Sequence, residues 1–101
     1  MDQTTLEHTV RTLTQKDGVE GVVVCKRSNG DIIRYTLADP ALARRYAALA
    51  HALTCSLSTQ LSVLDPDDAT EFVNITTRKH QLILSTDEDY LLLTVATRDE
   101  H

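Results

Sequence analysis

The 101-residue chain predicts a single α+β domain over residues 1–101, a five-stranded antiparallel sheet with one helix on each face, in the order αββαβββ. Three observations predict it. Leu42, Tyr46, Leu49, Leu53, Leu57, Leu61 and Leu64 recur at steps of three and four, the period of a helix. Asn29-Gly30 stands between two β-branched runs, a strong sign of an antiparallel hairpin. Val22-Val23-Val24 and Leu91-Leu92-Leu93 are apolar on both sides of the pleat, so both strands should lie centrally, covered on both faces.

The elements follow in order. Thr4 and Glu7 have the spacing of a capping box ahead of Leu6, Val10 and Leu13, and Gly18 suits a left-handed cap after a helix ending near Lys16. Strands are expected over Val19–Lys26 and Ile32–Leu37. Asp39 caps a long helix with Pro40 in its first turn, and Asp65-Pro66-Asp67-Asp68 ends it. Three strands follow, Ala69–Thr77, His80–Ser85 and Asp89–Thr97, turning at Arg78-Lys79 and Thr86-Asp87-Glu88. With that first turn, Thr76 faces Gln81, Ile75 faces Leu82 and Val73 faces Leu84. Val73, Ile75, Leu82 and Leu84 then form an apolar face under the long helix. Phe72, Asn74, Thr76, Gln81 and Ile83 form a half-polar face that the short first helix cannot roof.

Composition excludes several functions. A net charge of -5 and 4% aromatic residues argue against binding nucleic acid through phosphates or stacked bases. No apolar run approaches the length of a membrane span, so none is expected to insert, and Met1-Asp2-Gln3-Thr4-Thr5 lacks a signal-peptide profile, which points to the cytosol. Without such a signal the glycosylation sequon Asn74-Ile75-Thr76 has no meaning. Cys25 and Cys55 read as small reduced core residues, both protected from thiol reagents. His8, His51, His80 and His101 show no ligand spacing, and Asp65, Asp67 and Asp68 read as a solvated turn, so neither metal nor cofactor is expected. No nucleophile elbow or phosphate-cradling glycine loop occurs, and Arg44-Arg45 and Arg78-Lys79 are pairs, not patches. Enzyme activity is not expected.

Association signals are stronger. Ala43, Ala47, Ala50, Thr54 and Ser58 make a small-residue stripe on the long helix. The third strand has no proline or lysine, so it is an unguarded edge. Together they predict a two-fold homodimer with a continuous ten-stranded sheet, joined through that stripe and through Val73 and Ile75. The half-polar face would then form a trough for helical segments of another chain, contacted by Phe72, Asn74, Thr76, Gln81 and Ile83.

Across nearly its whole length the chain resembles the roadblock-type dynein light chains. The resemblance rests on Gly18-Val19-Glu20-Gly21-Val22-Val23-Val24, Tyr46-Ala47-Ala48-Leu49-Ala50-His51, Leu64-Asp65-Pro66-Asp67-Asp68, Phe72-Val73-Asn74-Ile75, Arg78-Lys79 and Asp87-Glu88-Asp89-Tyr90, in this order and spacing. It implies a non-catalytic dimeric light chain that binds the dynein intermediate chain and supports motor assembly and cargo attachment in microtubule-based transport. It also implies a microtubule-associated place in cytoplasm or axoneme, and a paralogous light chain as an alternative to the second copy. Relatives elsewhere scaffold or regulate small Ras-like GTPases, which the resemblance makes the alternative function. Asn74 and Thr76 stand where the resemblance suggests basic side chains, and Cys25 and Cys55 lie outside its pattern.

Overall fold

The structure, a computed structural model, describes residues 3–98. Its elements are α1 (Gln3–Thr14), β1 (Val19–Lys26), β2 (Ile32–Tyr35), α2 (Pro40–Leu64), β3 (Phe72–Thr76), β4 (His80–Thr86) and β5 (Tyr90–Thr97), in the predicted order. The five strands form one sheet, β2-β1-β5-β4-β3, antiparallel throughout. β1 and β5 lie side by side near its middle, as their unbroken apolar runs require, and β2 and β3 are its edges.

Local chemistry sets the ends of the elements. Gly30 takes φ 79° in the β1–β2 loop, where the Asn29 side-chain carbonyl accepts the Asp31 N–H at 2.9 Å. The ladder slips between Val24 and Cys25, so Ile33 has no partner directly opposite on β1. β2 stops at Tyr35, two residues short of expectation, because Leu37 turns in over Gly21 and is buried. A Cβ on Gly21 would stand 2.6 Å from Leu37 Cδ2, so glycine is what lets that leucine down. The Asp39 carboxylate accepts the Ala41 N–H at 2.9 Å and starts α2. At the far end Asp65 accepts from Asp67 and Asp68 from Ala69, and this turn delays β3 to Phe72. Glu7 does not complete a capping box; its carboxylate pairs with Arg34 at 3.0 Å, reaching from α1 to β2.

The helices cover opposite faces, each with its own core. Leu6 and Val10 of α1 pack on Val22, Val24 and Leu92. On the other face α2 closes over Val23, Cys25, Leu84, Leu91, Leu93 and Val95. At about 2 kcal/mol for each fully buried leucine or valine, the two central strands carry most of the apolar stabilisation.

The side of α2 that faces the sheet corrects the sequence reading. Ala43, Ala47, Ala50 and Thr54 are buried against the strands, and Thr54 returns its hydroxyl to the Ala50 carbonyl at 2.8 Å. They are therefore not free to form a helix–helix dimer face; Ser58, the last of the stripe, is half-buried. The reason is volume. The strands beneath already fill the layer with valine and leucine, so the helix comes close only where its own side chains are small. The leucines are displaced sideways, and Leu42 and Leu49 remain 41% and 39% exposed.

A second expectation also changes. At 25 residues and a mean hydropathy of 1.2 over its most apolar window, α2 has the length and composition of a membrane-spanning helix. Its small-residue side is nevertheless seated on the sheet, so what it leaves open is an apolar flank.

Candidate partner-binding surfaces

The first surface lies where α2 and the sheet part company. α2 crosses β1, β5 and β2. Pro40, Arg44, Ala48 and His51 line the side of the helix beside β2. The opposite side, Leu42, Tyr46, Leu49, Leu53 and Leu57, therefore points along the sheet towards β4 and β3. Tyr46 and Leu53 touch the core there, together with Val73 and Ile75 of β3, and all four are only partly buried. Burial raises the pKa of the Tyr46 phenol, and the charge of Glu20 raises it further, so the tyrosine stays neutral in this step. Helix flank and strand form an apolar angle that ends at the free edge of β3, as the sequence analysis expects of Val73 and Ile75.

The second surface is a groove of about 440 Å³ on the other face, between α1 and strands β3 to β5. Leu6 and Leu13 form one wall, Phe72 and Ile83 the other, and Leu92 and Thr94 lie on its floor. Phe72 is 70% exposed, a cost in water unless something covers it. The groove exists because α1, with 12 residues, leaves β4 and β3 unroofed, as its predicted shortness implies. Phe72 and Ile83 of the predicted trough line it. Asn74, Thr76 and Gln81 do not, although Gln81 donates to Asn74 at 3.1 Å beside it. The α1 wall was missed, although the three- and four-residue spacing of Leu6, Val10 and Leu13 carries the signal for it.

Charge marks the ends of this groove. Asp87 lines it near Tyr90, and Lys16 lines it near Val19 and Ala96, at the other end of β5. The main-chain N–H of Asp89 donates to the Asp87 carboxylate at 3.1 Å and holds it below the usual carboxylate range. The groove thus has an anionic end and a cationic end.

Other polar residues make local pairs. Among the described residues no three His, Cys, Asp or Glu side chains come together to hold a metal ion. His80 pairs with Glu20 at 3.0 Å across the sheet, while His51 contacts the Cys55 sulfur at 3.6 Å along α2. Cys25 is buried, and burial pushes its thiol up to about 11. Cys55 is exposed, against the expectation of two core thiols, because it projects from α2 on the same side as His51.

The domain is thus a small αββαβββ unit with an open strand edge and a lateral apolar helix flank. Residues 5–97 match the Roadblock/LC7 domain, and the chain belongs to that family. Family members are generally non-catalytic scaffolds or regulators. Several similar solved structures come from bacteria. The Roadblock/LC7 domain from Streptomyces avermitilis is 24% identical with TM-score 0.75, over 89% of this chain and 76% of that one. MglB from Myxococcus xanthus is 14% identical with TM-score 0.77, over 97% and 80%. The gliding protein MglB of Thermus thermophilus is 14% identical with TM-score 0.75, over 90% and 70%. At such identities the likeness speaks for the fold.

Proposed function

We propose that this chain is a non-catalytic subunit that acts as a homodimer and scaffolds or regulates a small Ras-like GTPase. The observation that carries the reading is the uncovered angle between the leucine flank of α2 and β3. A second copy related by a two-fold axis fits it: the β3 edges pair into a ten-stranded sheet, and each α2 covers the strands its twin leaves bare. The leucine flank takes the place in this interface that the sequence analysis gave to Ala43, Ala47, Ala50 and Thr54. The likeness to MglB supports the GTPase side of the family.

Light scattering tests the dimer. Twice the 11.2 kDa chain mass is expected at micromolar protein, and a stable particle of single mass would overturn it. Capture of small GTPases from the source organism, loaded in turn with GTP and GDP, tests the partner. Retention of one nucleotide state over the other is expected; equal absence of both would remove the GTPase reading while leaving the dimer.

The α1-face groove favours a second reading, in which the dimer holds a helix of a larger chain, as a light chain holds the dynein intermediate chain. Its length along β5, from Tyr90 to Ala96, is about 20 Å, room for about 13 helical residues. A helix there is favoured with its C-terminus at Lys16, because the ammonium complements the negative end of the backbone dipole. Phe72→Asp or Ile83→Asp should weaken capture of an intermediate-chain fragment while leaving the particle mass unchanged. Full retention by both variants would exclude the groove as the docking site.

A further inference from the structure

At the opposite edge of the sheet, β2 and α2 enclose a groove of about 840 Å³ that neither the dimer nor the α1-face groove uses. Ile32, Tyr35 and the outer side of β2 form one wall; Arg44, Ala48 and His51 of α2 form the other. The β1–β2 loop closes one end, since a Cβ on Gly30 would stand 3.0 Å from His51 Cβ. Pro40, where the chain turns back into α2, closes the other. From Pro40 to His51 the helix rises about 16 Å, the length of about five extended residues.

We propose that this groove accepts an extended segment of a partner protein that carries a carboxylate, adding it to the sheet as a strand beside β2. Main-chain geometry supplies the first argument. Thr36 N–H donates inward to the Val22 carbonyl at 2.9 Å, so in an antiparallel pair the N–H and C=O of Tyr35 point outward. They are unpaired ladder groups at the mouth of the groove, beside apolar side chains: Ile33 is 41% exposed and Tyr35 is 40% exposed. The bulge at Ile33 keeps the available ladder short, so side chains must contribute.

Charge supplies the second argument and selects the occupant. Arg44 faces the groove and makes no ion pair among the described residues, in a chain with 15 acidic and 10 basic side chains. The Arg34 guanidinium is held on the other face by Glu7. Asp31, the carboxylate in the lining, lies at the loop end of the groove beside Gly30, where the Asn29 amide donates to it at 3.1 Å. The groove therefore offers one unspent guanidinium between apolar walls, and a strand with an acidic residue among β-forming ones matches both.

The test is selection from a phage-displayed library of random 12-residue peptides on the full-length protein. Enriched sequences should combine β-branched residues with Asp or Glu. Synthetic versions should bind Arg44→Glu at least tenfold more weakly, N-methylation of alternate peptide bonds should abolish binding, and bound peptide should slow hydrogen exchange at the Tyr35 amide. A library that yields no binders overturns the proposal. So does binding that is indifferent to Arg44→Glu or to N-methylation.

Discussion

The two sides of α2 carry opposite lessons. Ala43, Ala47, Ala50 and Thr54, the least hydrophobic surface of the helix core stripe, are its most buried residues. Leu42 and Leu49, among its most hydrophobic residues, remain partly in water. Hydrophobicity tells how much a residue gains from burial. Size tells how near a neighbouring layer can come, and over a sheet already filled with valine and leucine, size decides. In the proposed dimer the leucines gain their burial from the second copy.

The comparison breaks most visibly on the buried side. Ala47→Leu forces a leucine into the layer above Val23 and Leu93 and should cost about 3 kcal/mol, read from urea unfolding of the purified protein. Cys25 lies in the same layer, and its raised pKa gives a pH test. Below pH 9 the thiol is neutral in both folded and unfolded chains. As pH rises from 9 towards about 11, the unfolded chain loses this proton first, so stability falls by about 2 kcal/mol, and Cys25→Ala should remove that part of the alkaline slope. At the start of the helix, Asp39→Ala removes the acceptor for the Ala41 N–H and should cost about 1 kcal/mol, visible as a lower thermal midpoint.

On the open side the effect moves from stability to assembly. Leu49→Ser should change protomer unfolding by less than about 1 kcal/mol, yet raise the concentration at which ultracentrifugation finds single chains. The smallest perturbation is a thiol label. Cys55 should react with a disulfide reagent in the native protein within minutes, while Cys25 reacts only after denaturant is added.

Much of the fold was legible because its signals are local. Asn29-Gly30, Asp39-Pro40 and Asp65-Pro66 punctuate the chain, and the triplets Val22-Val23-Val24 and Leu91-Leu92-Leu93 name the central strands before any pairing is known. The edge position of β3 followed from a strand without proline or lysine, and the under-roofed face beside Phe72 and Ile83 from the shortness of the first helix. The facing side of α2 did not, because two adjacent stripes at helical spacing are equally periodic and the heavier one attracts the reader. The missing signal was across the sheet. Val23, Leu84, Leu91 and Leu93 leave no volume for a second row of leucines. The β2 groove was equally hidden, since it depends on Pro40, Arg44 and His51 standing opposite a strand, which spacing along the chain cannot express.

The side-by-side placement of β1 and β5 has a consequence for how the protein is made. Val23 sits opposite Leu93, about 70 residues later in the chain. A ribosome releases β1 long before β5, so the earlier strands wait with their sticky sides bare until almost the entire polypeptide has emerged. Translation order is therefore not assembly order: a message cut short anywhere before β5 yields a chain without its keystone, a natural substrate for chaperones and proteases.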